Sequence, residues 1–409
     1  MTSYDLDAPE VDSGITWPPR RADPLLPPPA FDEVRARCPV SRVSLYDGSA
    51  AWLATRHDDM RALLRNPAMS ANPRVGGYPN SSANHSASRN TQGGFIRMDA
   101  PEHDVQRRML TKAFSVRQVE LLRPYVEQLV DELLDGMAAA GGPVDLVAAL
   151  AEPLPARAIC KILDLPSSDA AFLLGRVATW MNLNSPPDVS AQASGDLAAF
   201  LDNLILRRLE KPGEDIVSHL VAQQFQQGAI SRQDLVGMLQ LLVVGGFDTT
   251  ANMIALGTIA FLRFPDQAAE LRAHPELAAP AMEELLRYLS VAHHVASRVA
   301  TDDIMIRGVC IHAGDGVIAP IPAANHDPEV FEDPHVLNIR RDARDHVSFG
   351  FGIHQCLGQN LARIELQVVF VKLLQRFPDL RLAVAESDLD FRNSMIYGVP
   401  ELLVTWGEA

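Results

Sequence analysis

The sequence predicts a mainly α-helical protein with a small β portion (α+β), built as one large domain. Three observations predict it. Apolar residues recur at helical spacing from about residue 103 to 265. Residues 303–321 (DIMIRGVCIHAGDGVIAPI) alternate instead and carry glycine turns, the mark of short strands. No internal repeat and no linker divides the 409 residues.

The elements follow in order. Residues 1–30 are proline-rich (WPPRRADPLLPPP) and read as an extended entry arm, leaving 31–409 as a single domain. Two apolar runs, 40–45 and 51–54, flank Asp47-Gly48 and predict a hairpin. Residues 70–97 hold Gly, Ser, Asn and Pro without periodicity; a loop that long is usually a lid or binding loop. The helical region is broken at 184–195 (NSPPDVSAQASG) and resumes. Ser231 with Asp234 forms a capping box and Pro265 stops the run, so roughly 30 residues of helix span about 45 Å between them. That helix is apolar on most faces and must cross the centre. Leu357, Leu361, Ile364 and Val368 predict another helix directly after Cys356. DLRLAV and ELLVTW read as C-terminal strands.

Hydrophobic residues make up 47%, enough for a large core. A net charge of −15 disfavours nucleic acid or an anionic membrane as main partner. The four cysteines are scattered with no CxxC pair, which predicts neither a disulfide framework nor a zinc site and fits a reducing cytosol. Cys38, Cys160 and Cys310 are expected to be buried or inert. The acidic N-terminus lacks the apolar segment of a secretory signal, and MLQLLVVGGF is too short to span a bilayer. The expectation is a cytoplasmic protein.

Three stretches carry chemistry. In FGFGIHQCLG, Cys356 precedes a helix, where free N–H groups favour a thiolate. Gly350 and Gly352 permit a tight turn and close approach of a flat partner. A buried structural cysteine and a Cys–His hydrolase using His354 remain alternatives here. In GGFDTT, Gly245 and Gly246 each cost roughly 1 kcal/mol against Ala, Thr249 and Thr250 compete for backbone carbonyls, and Asp248 sets a carboxylate in an apolar helix. Three unfavourable choices in one turn favour a loosened segment that admits a small ligand and supplies protons over a mere packing notch with Asp248 paired to an arginine. In EELLRY, Glu284 and Arg287 stand at i, i+3, a spacing usually meaning only a solvated ion pair.

Together and in this order these stretches resemble the cytochrome P-450 superfamily of haem-thiolate monooxygenases, of the soluble bacterial type. Phe349-Gly350-x-Gly352-x-His354-x-Cys356-x-Gly358 matches its haem-binding signature in full. Gly245-Gly246-Phe247-Asp248-Thr249 matches the oxygen-activating segment, and Glu284-x-x-Arg287 with Arg341 matches the family's structural cluster. Leu337-Asn338 departs from the usual Phe-Asp. The likeness runs from about residue 30 to the end.

The resemblance implies a single-domain fold with the long central helix over the haem. It implies haem b with Cys356 as axial iron ligand and O2 as co-substrate. His103, Arg107, Arg298 and His354 would meet the propionates. Asp248 and Thr249 would deliver protons. One oxygen atom would enter a C–H bond, by hydroxylation or epoxidation, of a bulky apolar molecule such as a polyketide, macrolide, terpenoid or xenobiotic. The chain has no flavin or nicotinamide fingerprint, so electrons from NAD(P)H would come through a ferredoxin and its reductase. Arg107, Arg108, Lys112, Arg344 and Arg363 would form a basic docking patch. Val291, Ala292, Val295 and Ile396 would line the substrate pocket. His293 and His294 would bond an oxygenated substrate or face solvent. The competing readings are a peroxide-driven or oxidative-coupling enzyme, and a haem sensor or carrier.

Overall fold

The longest helix, Arg232–Arg263, threads the middle of a shell of other helices. The structure is a computed structural model and describes residues 12–83, 86, 94–182, 185–392 and 394–407. The helices that position the site are α1 (Glu102–Thr111), α2 (Arg123–Ala140), α3 (Pro153–Ile162), α4 (Ala170–Met181), α5 (Pro187–Glu210), α6 (Arg232–Arg263), α7 (Ala278–Leu289) and α8 (Gln359–Arg376).

The predicted capping box starts α6. Ser231 Oγ accepts from the Asp234 N–H at 3.0 Å, and the Asp234 carboxylate accepts from the Ser231 N–H at 3.2 Å. α6 packs against α3, α4, α5, α7 and α8. It buries Leu235, Leu239, Val243, Phe247, Ile254 and Phe261, each worth about 1.5–3 kcal/mol of transfer free energy. A Cβ on Gly257 would collide with the Phe370 ring of α8, so the glycine sets how closely the two helices approach. α6 is also the one helix among the described residues long and apolar enough to cross a membrane; 67% of its apolar window is buried in this core. It runs unbroken through GGFDTT, so the expected loosening is no interruption of the helix.

The β portion contains a six-stranded sheet, a three-stranded sheet and a hairpin. β1 (Asp12–Thr16), β2 (Val40–Ser44), β3 (Ala50–Ala54) and β4 (Met69–Ser70) precede the helices, with β5 (Val144–Asp145) among them. β6 (Ser297–Ala300), β7 (Ile304–Ile306), β8 (Val309–Ile311), β9 (Gly316–Ile318), β10 (Arg381–Leu382) and β11 (Leu403–Thr405) follow. The large sheet runs β1-β2-β3-β9-β6-β4, and the small one β10-β11-β5. β2 and β3 form the predicted hairpin, turned by Gly48 at φ +82°.

Two sequence expectations change. Within the entry arm, 12–16 pair in parallel with β2, and Trp17 and Leu25 are buried. Residues 1–11 lie outside the described residues. The break at 184–195 shrinks, because α5 begins at Pro187: Pro suits a first helical position, where its missing N–H is not needed. Ala193 and Leu197 then face inward.

Candidate active site

The Cys356 loop is shaped by two left-handed glycines, Gly350 (φ +71°) and Gly352 (φ +74°). Gly352 lies against the Leu64 carbonyl, where no side chain fits. The Cys356 N–H donates to Phe349 O at 2.7 Å, and the Arg363 guanidinium caps the Phe349 ring at 4.6 Å. α8 begins at Gln359 rather than at Cys356, with Gly358 as its cap. Burial pushes the thiol up; the Gly358 N–H, the charges of Arg107 and Arg363 and the Gln359 N–H pull it back. The helix start alone therefore does not make a thiolate. A bound metal ion would, since a coordinating thiol is deprotonated outright.

Beside this loop four nitrogen donors converge. The rings of His103 and His354 stand 4.4 Å apart. His103 is fully buried; Asp104 engages its Nδ1 at 2.8 Å, while its Nε2 has no partner among the described residues. His354 Nδ1 is likewise buried and unpartnered, and burial, then Arg298, His103 and Arg107, push the ring down to about 3. Arg298 is buried, donates to Ser297 O at 2.7 Å and forms no ion pair among the described residues. Arg107 donates to Gln355 O at 2.6 Å, which ties α1 to the cysteine loop. Unpartnered buried donors around a buried arginine fit an anionic group, and the two propionates of haem are such a group. Tyr78, near the same arginine, was missed in the sequence: burial pushes its hydroxyl up while the Arg298 and Arg97 charges pull it down. Its signal was an aromatic residue in an otherwise small and polar loop. Residues 84, 85 and 87–93 of that loop lie outside the described residues. Asn72, Pro73, Arg74, Gly94 and Arg97 of the loop border a cavity of about 450 Å³, closed on its other sides by Met98, Gln106 and Ile230 among others.

On α6, both readings of GGFDTT hold in part. Gly246 is a packing notch: a Cβ there would strike Ile159 of α3 at 2.5 Å. Gly245 faces open space. Thr249 Oγ1 donates to Gly245 O at 2.9 Å. Asp248 does have an arginine partner, Arg392 at 3.3 Å, and Arg392 also reaches Glu152 at 3.8 Å. Asn252 donates to the Asp248 carboxylate at 2.9 Å. Burial nevertheless holds the Asp248 carboxyl above its ordinary value against both partners. Packed against α6 lies Glu365, 1% exposed, with its Oε1 unpartnered among the described residues.

The Glu284–Arg287 pair is fully buried, not solvated. Its two bonds measure 2.7 and 2.9 Å; Arg341 adds a third at 3.2 Å, and Arg287 also donates to Asn325 O and Pro334 O. The Leu337-Asn338 departure is harmless: Leu337 is buried and the Asn338 N–H donates to Glu284 at 3.0 Å.

The pocket candidates sit together. Tyr397 N donates to Val291 O at 2.8 Å, joining Ile396 to the stretch with Val291, Ala292 and Val295. His293 is buried and His294 half-buried, so neither simply points to solvent. Their rings stack at 3.6 Å, His293 Nε2 meets Ser394 O at 2.8 Å, and His294 packs edge-on against Trp17. Burial first, then neighbouring positive charge, pushes both imidazoles down, His294 to about 3. Cys160 is buried as expected, but Cys38 and Cys310 are partly exposed.

A family model described as Cytochrome P450 matches residues 193–388. Cytochrome P450-SU2 of Streptomyces griseolus is 44% identical over 409 residues, covering 99% of this chain and 100% of its own. The chain belongs to the cytochrome P450 family. The crystal structure of GfsF, a P450 of Streptomyces halstedii, superposes with a TM-score of 0.91 at 42% identity, over 96% of this chain and 100% of that one. The mycinamicin VIII C21 methyl hydroxylase of Micromonospora griseorubida, bound to mycinamicin VIII, also gives 0.91, at 39% identity, over 96% and 100%. This P450 is a haem-thiolate monooxygenase, with haem b as cofactor and O2 as co-substrate. It acts on small molecules and takes electrons from redox partners.

Proposed function

We propose that this P450 holds haem b through the Cys356 thiolate, with His103, Arg107, Arg298 and His354 on the propionates, and hydroxylates a bulky apolar natural product of macrolide, polyketide or terpenoid type, or a xenobiotic. The observation that carries this is the meeting of the Cys356 loop with buried, unpartnered donors on His103 and His354. Thiolate-ligated haem supplies the oxygen chemistry, activating O2 for insertion into a C–H bond.

The residues prepare that chemistry. Because the Thr249 hydroxyl donates to Gly245 O, its lone pairs remain free to accept a hydrogen bond from a water or other proton donor beside it, so it would hold a proton on this face of α6. Asp248 holds a proton more readily than an exposed carboxyl does, and release from Arg392 frees it to pass that proton on. Val291, Ala292, Val295 and Ile396 present an apolar wall, beside the neutral His293–His294 pair.

The electrons come from a ferredoxin and its reductase in the cytoplasm. The docking patch is smaller than the sequence suggests. Arg363 is held by Glu283 at 2.6 Å and Arg344 by Asp342. Exposed Arg108 and Lys112 remain on and just after α1, with exposed Arg117 beyond them, while Arg107 is committed to Gln355 O and the propionates.

Thr249→Ala tests the proton role. Product formed per NAD(P)H should fall roughly tenfold, the worth of about 1.4 kcal/mol, while hydrogen peroxide rises and haem content stays constant. Unchanged coupling would remove Thr249 from the mechanism.

A further inference from the structure

Asp303, Cys310 and His312 bring a carboxylate oxygen, a thiol and an imidazole nitrogen within 4.8 Å of one another, away from the Cys356 loop. Cys310 Sγ lies 3.7 Å from His312 Nδ1, and that nitrogen lies 3.4 Å from Asp303 Oδ1. Zinc bonded to sulfur at about 2.3 Å and to nitrogen and oxygen at about 2.0–2.2 Å, in a tetrahedron, separates sulfur from nitrogen by about 3.6 Å and nitrogen from oxygen by about 3.4 Å. Two of the three donor separations thus already have the values a zinc ion imposes.

The placement follows from the hairpin. β7 and β8 pair Ile304 with Ile311 and Met305 with Cys310. Ile304, Ile306 and Ile311 face the core, so alternation puts Asp303, Met305, Cys310 and His312 on the outer face. Arg307 (φ +48°) and Gly308 (φ +80°) form the two-residue turn that fixes this register, and Arg307 is anchored to Asp59. The Ala313 N–H donates to Asp303 Oδ1 at 2.9 Å and orients the carboxylate. The His312 backbone N–H donates to Asp315 Oδ2 at 3.1 Å, which sets a second carboxylate beside the three ligands and favours a cation there.

We infer that Asp303, Cys310 and His312 form a surface site for one divalent zinc ion, with water as fourth ligand. The thiol proton leaves to solvent as the sulfur binds. The site is independent of the haem chemistry.

The test is equilibrium dialysis of the holoenzyme against zinc alone, with zinc and iron measured on the same sample. The wild type should retain one zinc per chain that Cys310→Ser and His312→Ala each weaken at least tenfold. Both variants should keep the wild-type carbon-monoxide spectrum, which shows that the fold and haem site are intact. Cys38→Ser should bind as the wild type does. Zinc retention unchanged in Cys310→Ser and His312→Ala would overturn the site. So would retention of copper(I) but not zinc, lost in Met305→Leu, because the face would then be a soft thiol–thioether site.

Discussion

Glu365 keeps a proton in the middle of the molecule. Burial pushes its carboxyl from the ordinary 4.5 up to about 8, against a smaller downward pull from the Thr250 hydroxyl. Between those values the unfolded chain has lost a proton that the folded chain retains. The contribution to stability is therefore fully present below pH 4.5 and declines as pH rises toward 8. Glu365→Gln removes the titrating group. The unfolding free energy of that variant should decline less steeply across this window, by about 1.4 kcal/mol per pH unit, in denaturant titrations of the holoenzyme. Parallel pH profiles would contradict the assignment. The sequence shows Glu365 only as an acid on an amphipathic helix, because its burial is set by α6 packing over it. Arg392 was illegible for a similar reason: it meets Asp248 from 144 residues away. Cys356 was legible because glycine geometry and ligand chemistry are both local.

At the scale of elements, the two glycines of α6 do different work. Gly246 receives Ile159 of α3, whereas Gly245 opens onto free space. Gly246→Val should destabilise the protein by about 1–3 kcal/mol through overpacking, and Ile159→Ala in the same chain should restore part of that loss. Gly245→Ala should leave the fold unharmed or strengthen the helix by up to about 1 kcal/mol. Thermal unfolding of the three variants decides it, and equal losses at both glycines would refute the distinction. The capping box, the β2–β3 hairpin and the α6 boundaries were readable because each depends on residues close in sequence. The start of α5 and the pairing of β1 were not. The first turned on one proline's position, and the second on a partner strand some 30 residues on.

At the scale of the whole molecule, α6, α7 and α8 pack on one another and carry or adjoin the three motifs of the sequence, and the buried Glu284–Arg287 pair, joined by Arg341, braces the segment leading to the cysteine loop. A fully buried ion pair is weak support for stability by itself, but removing one partner strands the other charge. What the sequence could not show is how the donors meet. His103 and His354 are 251 positions apart and reach ring contact only through the docking of α1 on that loop. The central claim is that this centre carries haem on the Cys356 sulfur. The reduced, carbon-monoxide difference spectrum of the purified protein tests it most directly. A strongly red-shifted Soret band, lost in Cys356→Ala, is the predicted result. A band typical of histidine ligation, or the same red-shifted band in Cys356→Ala, would contradict it.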